Sequence, residues 1–291
     1  EVGSILCKYP EGFLLPGLID THVHLVHMGL PDESWELDPV TMAPGALSLR
    51  ALFNAQKSLS HGVITVRDLG SRDLADICVR NAINEGKFIG SRIIAAGHPI
   101  TTTAGHMDSS RYIRPGIPYG SIAYMGIIAD TPGEAQKAVR RCLLEGSDVI
   151  KINVSISEPV RKLYGLYAPE MTKEMLDAIC ELAHLNMRRV TGHSHGGIAI
   201  DNAIEAGIDS LEHGRFLTDI QMEKMAEKSI YLTPTLSPDA RPPLESKKRK
   251  PTDVEWTRKA RNVMYDAVKR ADAIGVKITA GSDAGMAFVE H

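Results

Sequence analysis

The chain has little cysteine. There are four in 291 residues (Cys7, Cys78, Cys142 and Cys180), far apart and with no Cys-x-x-Cys pair. That argues against a zinc ribbon and a disulfide framework, and makes reduced thiols in a cytoplasmic setting the expectation. No run of about 18 apolar residues occurs, which is the length a spanning helix needs. The opening residues EVGSILCKYPEG lack the basic and long apolar regions of a secretory leader. Excess charge of either sign is missing too: 33 Lys and Arg stand against 36 Asp and Glu, a formal net charge of -3. This gives no electrostatic reason to expect nucleic acid or an anionic membrane as partner. The expected partner is a small-molecule substrate, with a homo-oligomer left open.

What is present can bury a large core, with 43% hydrophobic and 24% charged residues. From Gly17 onward, short β-branched runs alternate with longer helical patterns, as in repeated βα units around a parallel sheet. Eight strands are expected: Leu18–Leu25, Val63–Leu69, Ser91–His98, Asp148–Ser155, Arg188–His195, Asp209–His213, Ile230–Leu236 and Val276–Asp283. Between them, stretches such as PGEAQKAVRRCLLEG and TKEMLDAICELAHLN repeat apolar residues at three- and four-residue spacing. These start at Thr or Pro and stop at Gly or Asn. Eight strands with intervening helices in roughly 270 residues is the size of a (β/α)8 barrel. An open doubly wound sheet is the alternative, but no Gly-rich phosphate turn follows the first strand. The chain stops at His291, a few residues after the eighth strand, where a closed barrel needs a helix, so a truncated polypeptide is expected. The run KKRK (Lys247–Lys250), inside the polar stretch Pro238–Asp253, reads as a solvated loop.

In a parallel barrel the active site forms at the C-terminal ends of the strands. Those ends are rich in ligand-type residues: His22 and His24 on the first, Lys151 on the fourth, His193 and His195 on the fifth, His213 on the sixth and Asp283 on the eighth. Residues two apart on a strand project the same way, so the imidazoles of His22 and His24 can converge on one cation. A lone His-x-His is weak evidence; with four further ligand-bearing strand ends it becomes strong. Lys151 is flanked by Val149, Ile150, Ile152 and Val154, and a buried ammonium is expensive unless paired or neutral. A lysine made neutral by burial can take up carbon dioxide to form an anionic carbamate that could bridge two metal ions. His193 and His213, 20 residues apart, each end a strand just before or near a turn glycine, as ligands of a second cation would. Spacing alone does not separate His193 from His195. Asp283 can bind a metal and also take a proton from water. His61 and His184 fall in helical patterns and read as surface or packing residues, while His27 and His98 are at best neighbours of the site.

Read in order, LLPGLIDTHVHL, IKI, GHSHGGIAIDNAIEAGIDSLEHG and GSDAG resemble the amidohydrolase superfamily, in its imidazolonepropionase-like and prolidase-like metal-dependent hydrolase subgroup. The resemblance runs over nearly the whole chain. It implies a binuclear centre, usually zinc, in which His22, His24 and Asp283 hold one ion and His193 and His213 the other. Carboxylated Lys151 would bridge the two ions together with a hydroxide. His195 is left for the surroundings of the site or for substrate, and His106 in TTTAGHMDSSRY matches a histidine that contacts substrate, although Met107 stands where many relatives have Gly. By the same resemblance, residues 1–13 are a remnant of a flanking β-sandwich and 14–291 are the barrel.

The activity implied is hydrolysis of a C–N amide bond in a dipeptide or N-acyl amino acid, with Asp283 moving the proton. Arg161, Tyr164 and Tyr167, in a loop after the fourth strand, are candidate contacts to a substrate carboxylate. The alternatives are a single-metal deaminase or cyclic-amide hydrolase, a lactone or phosphoester hydrolase of the same superfamily, and a catalytically silent scaffold barrel.

Overall fold

A β-branched run covered on its outer face by helices favours a parallel strand, and the computed structural model has eight such positions closing on themselves. Residues 12–30, 42–43, 45–108, 126–156, 168–240, 251–286 and 289–291 are described. Most of the segment expected as a sandwich remnant, the KKRK run, Arg161, Tyr164 and Tyr167 lie outside them. The strands are β1 (Leu18–Val23), β2 (Val63–Asp68), β3 (Arg92–Ala95), β4 (Ile100–Thr101), β5 (Ile127–Ile128), β6 (Val149–Asn153), β7 (Arg189–Ser194), β8 (Ser210–His213), β9 (Tyr231–Thr233) and β10 (Lys277–Ile278). The helices are α1 (Ala46–Ser60), α2 (Ala75–Asn84), α3 (Pro132–Glu145), α4 (Lys173–Leu185), α5 (Ile198–Ala206), α6 (Asp219–Glu227), α7 (Ser237–Ala240) and α8 (Pro251–Ile274).

Parallel ladders join β1-β2-β3 and, separately, β10-β9-β8-β7-β6 with β4 and β5 at the end. Two seams close the barrel. Between β3 and β6, the Asp148 amide donates to the Ala95 carbonyl at 2.8 Å, and the Asp148 carboxylate accepts from the Ala95 amide at 3.0 Å. Between β10 and β1, the Thr21 amide donates to Ala280, Asp283 to His22 and His24 to Ala284, all at 2.8 to 2.9 Å. The strand pair β4 and β5 is an addition to the expected plan. β4 continues the third strand past the bend at Gly97 (φ 66°) and pairs with Ile152 of β6.

Helix ends follow local chemistry. Thr131 caps α3 by accepting from the Glu134 amide, Pro132 follows it, and Gly146 ends the helix at φ 91°. Thr218 and Gln221 form a reciprocal capping box on α6. The outward strand residues Ile150, Ile152, Val154, Val190, Leu211 and Leu232 pack against helix residues such as Val139, Leu176, Ile179, Ile200 and Met222. A second cluster joins Val23, Val66 and Ile93 to α1 and α2 through Ala51, Ala55 and Val79. The polar stretch around KKRK begins and ends in helix: Pro238–Ala240 lies in α7, and Pro251–Asp253 opens α8, where a proline costs no helix hydrogen bond. A groove of about 520 Å³ runs along β1 and β10, lined among others by Leu18, Val63, Leu236, Val268 and Ile278.

The β10–β1 seam leaves no room for a side chain at Gly285, where φ is +98° and an added Cβ would lie 2.3 Å from the His24 carbonyl oxygen. Gly285→Ala is expected to destabilise the fold by more than about 1 kcal/mol, read as a lower urea midpoint at unchanged m-value.

Candidate metal centre

The C-terminal ends of the strands bring the expected ligands into one buried cluster. The ring centroids of His22 lie 5.3 Å from His24 and 5.1 Å from His213, and His213 lies 4.5 Å from His193. Asp283 Oδ1 stands 3.4 Å from His22 Nε2 and 3.5 Å from His24 Nε2. Donor atoms of His22, His213 and Asp283 all fall within 4.8 Å of one another. Lys151 is 1% exposed and among the largest fully buried side chains. Two of these residues hold unusual backbone: His213 at φ 69° and Asp283 at φ 58° are left-handed, a conformation non-glycine residues rarely adopt outside functional sites. Glu212 already faces into the barrel, so a regular strand would turn His213 outward.

Three of the imidazoles have Nδ1 held by a neighbour. His22 Nδ1 pairs with Glu212 Oε2 at 2.7 Å, His213 Nδ1 with Thr235 Oγ1 at 2.7 Å, and His24 Nδ1 with the Gly70 carbonyl at 3.3 Å. Each pairing leaves Nε2 for a cation. Burial, and then neighbouring charged or titratable groups, hold His24, His193, His195 and His213 well below the usual histidine pKa, so these rings are neutral and able to ligate. Burial also raises Asp283, against the pull of His22 and Lys151. Lys151 is pushed down to about 8, first by burial; Glu212 and Asp283 pull it up, and Arg67 adds to the drop. Buried His193 Nε2 and Asp283 Oδ1 have no hydrogen-bond partner, which is how ligand atoms stand before a cation meets them. The donor set, imidazoles plus a carboxylate with a lysine between, fits zinc-type coordination chemistry.

Glu212 and Arg67 were not picked out in the sequence. Glu212 is fully buried and accepts from Arg67 Nη2 at 2.7 Å, from the Thr191 hydroxyl and from His22, and Arg67 Nε also donates to the Thr21 carbonyl at 2.6 Å. Burial alone would raise the Glu212 carboxyl; Arg67 and His22 hold it well below the carboxylate range. The only hint was a carboxylate directly before His213 in SLEHG. Around the rim, Asp20 accepts from the His22 and Ser282 amides at 3.1 and 3.0 Å, and Asp68 from Leu25 at 2.9 Å. His106 stacks on His193 with centroids 4.1 Å apart, and Glu170 accepts from its amide at 2.9 Å. His195 lies 4.9 Å from His193 and 5.0 Å from His213, within the same cluster. His98 pairs with Glu145 and His184 with Asp209, while His61 is exposed and bonded to its own helix end. His27 is buried beside His24, with centroids 6.2 Å apart.

A closed barrel with this ligand set at its C-terminal mouth defines a class of enzyme-type site, and the comparisons agree with it. The Amidohydrolase family model matches residues 13–290, and the chain belongs to that family. It is 30% identical to an ochratoxinase of Aspergillus niger over 240 residues, 77% of this chain and 48% of the relative. The chain thus spans about half the length of that curated relative. Among solved structures, a Xaa-Pro dipeptidase with bound methionine in the active site superposes at a TM-score of 0.81 with 31% identity, covering 98% of this chain and 71% of that one. The A. niger ochratoxinase superposes at 0.78 with 27% identity, covering 92% and 63%.

Glu212→Gln keeps the shape of the side chain but removes the charge that orients His22 and balances Arg67. Affinity for zinc is expected to fall about 10- to 100-fold, measured by competition with a chromogenic chelator. Unchanged affinity would show that Glu212 does not hold His22 for the ion.

Proposed function

We propose that this chain is a metal-dependent hydrolase cutting a C–N amide bond in a dipeptide or N-acyl amino acid. The observation that carries the reading is Lys151, a lysine with a pKa near 8 buried among imidazoles and facing Glu212 and Asp283. Its neutral Nζ can attack carbon dioxide, forming an N–C bond and releasing a proton to solvent, which turns a costly ammonium into an anionic carbamate ligand. Two divalent cations, zinc by the donor set, would be held by His22, His24 and Asp283 and by His193 and His213, with the Lys151 carbamate between them; when bound they acidify water and polarise the scissile carbonyl.

Asp283 then does the proton work. Its carboxylate, made more basic by burial, accepts the proton of the attacking water and passes it to the leaving nitrogen. His106 stacks on His193 and His195 lies beside it, which supports both as candidate substrate contacts. Arg161, Tyr164 and Tyr167 remain candidates for its carboxylate. Similar proteins carry names that support amide chemistry on amino-acid derivatives: an ochratoxinase, and a dipeptidase holding methionine in its active site. Free Cys78, Cys142 and Cys180 support a reducing, cytoplasmic setting.

A single-ion deaminase or cyclic-amide hydrolase is the second reading. It draws on the tight convergence of His22, His213 and Asp283 alone, but leaves Lys151 without a role. With zinc and bicarbonate supplied, a library of dipeptides and N-acyl amino acids is expected to contain substrates. Asp283→Asn should lower turnover on them by about 10²- to 10⁴-fold while the protein stays largely metal-loaded. Wild-type turnover in Asp283→Asn would remove the base assignment, and deamination without amide cleavage would favour the second reading.

A further inference from the structure

Asn153 is the last residue of β6 and is 0% exposed, yet neither its Oδ1 nor its Nδ2 has a hydrogen-bond partner. A buried carboxamide with both ends unpaired is uncommon, because each unmet group forfeits its bonds to water. Its direction follows from the strand. Ile150, Ile152 and Val154 lie in the outer core under the helices, so Val149, Lys151 and Asn153 face the barrel interior. Asn153 therefore stands about 6.6 Å beyond Lys151 toward the C-terminal mouth. In register it is the direct neighbour of His193 on β7. A cation could meet Oδ1 but would leave Nδ2 unmet, since Nδ2 is a donor.

Resting on the amide-hydrolase reading, we propose that Asn153 is a substrate-contacting residue that recognises the amino-acid half of the substrate, its Oδ1 accepting the scissile amide N–H and its Nδ2 donating to the α-carboxylate. The carbonyl of the scissile bond is the group that bound cations would polarise. The polar atoms left beside that bond are the N–H and the carboxylate of the amino acid to be released, one donor and one acceptor on either side of the α-carbon. They match the two adjacent ends of a carboxamide. Placement across the barrel adds a stereochemical reason. β6 is the fourth barrel strand and β10 the eighth, so Asn153 and Asp283 face each other across the mouth. When water adds to the carbonyl carbon, the amide nitrogen becomes pyramidal with one N–H and one lone pair. Holding the N–H toward β6 turns the lone pair toward Asp283, which must protonate it before the C–N bond breaks. The site should thus favour substrates whose scissile nitrogen carries hydrogen over prolyl or N-methyl amides.

The metal-loaded enzyme and its Asn153→Leu and Asn153→Ser variants would be titrated calorimetrically with L-methionine. The wild type is expected to bind it and both variants to lose at least tenfold in affinity, with metal content equal to wild type and Tm equal or higher in Asn153→Leu. Affinities within twofold of wild type in a folded variant, or no binding of L-methionine to the wild type, would overturn the proposal. In parallel, wild-type kcat/KM for N-acetyl-L-methionine should exceed that for its N-methyl derivative at least tenfold, and Asn153→Leu should lose the preference; a preference kept in that variant overturns the proposal as well. If no member of the dipeptide and N-acyl amino acid library is cleaved, the amide-hydrolase reading falls, and the titration still decides the role of Asn153.

Discussion

Keeping the Lys151 ammonium out of water is the constraint to which the rest of the barrel mouth answers. A cation in a dry interior is tolerated only if it is paired or loses its charge, and here burial lowers the lysine to about 8 while Glu212 and Asp283 oppose the change. The carboxylates are in turn committed elsewhere. Glu212 is shared between Arg67 and His22, and Asp283 lies against His22 and His24. Four neighbouring histidines are driven to the neutral state by the same burial. Neutral imidazoles, a carboxylate raised by burial and a lysine lowered to about 8 thus share one dry mouth.

The scaffold gives up local comfort to hold that arrangement. His213 and Asp283 sit in left-handed backbone, and Gly281 and Gly285 let β10 approach β1 so closely that a Cβ at either would strike His22 or His24. Strain of this kind persists only where surrounding structure over-determines it. Here the determinants are the β10–β1 seam, the Asp20 carboxylate gripping both strand ends, and the continuous outer core beneath the helices. The same rigidity fixes Lys151, Asn153 and His193 side by side on two adjacent strands. The geometry of the site is therefore a property of the strands.

Much of this was legible in the residues. Alternating β-branched and helical runs located all eight barrel strands, because a fully covered parallel strand has to be apolar and short. The clustering of these side chains was legible because His22 and His24 share a strand face and because Lys151 stands against an apolar run. What stayed hidden depends on distance or on conformation. Glu212 and Arg67 are 145 residues apart, and neither looks unusual within its own strand. β4 and β5 are two residues each, too short to show a period. Asn153 reads as an ordinary polar residue until its carboxamide is seen buried and unpaired, and the turn of His213 into the mouth depends on a φ that no side-chain pattern reveals.

The central claim is that this mouth holds two cations with a modified Lys151 between them. A crystal of the zinc-loaded protein grown with bicarbonate, with diffraction recorded on both sides of the zinc absorption edge, tests it directly. The account predicts two anomalous peaks, one bounded by His22, His24 and Asp283 and the other by His193 and His213, with density for a carboxylate continuing from Lys151 Nζ. A single peak with an unmodified Lys151, or no peak at the strand ends, would contradict it.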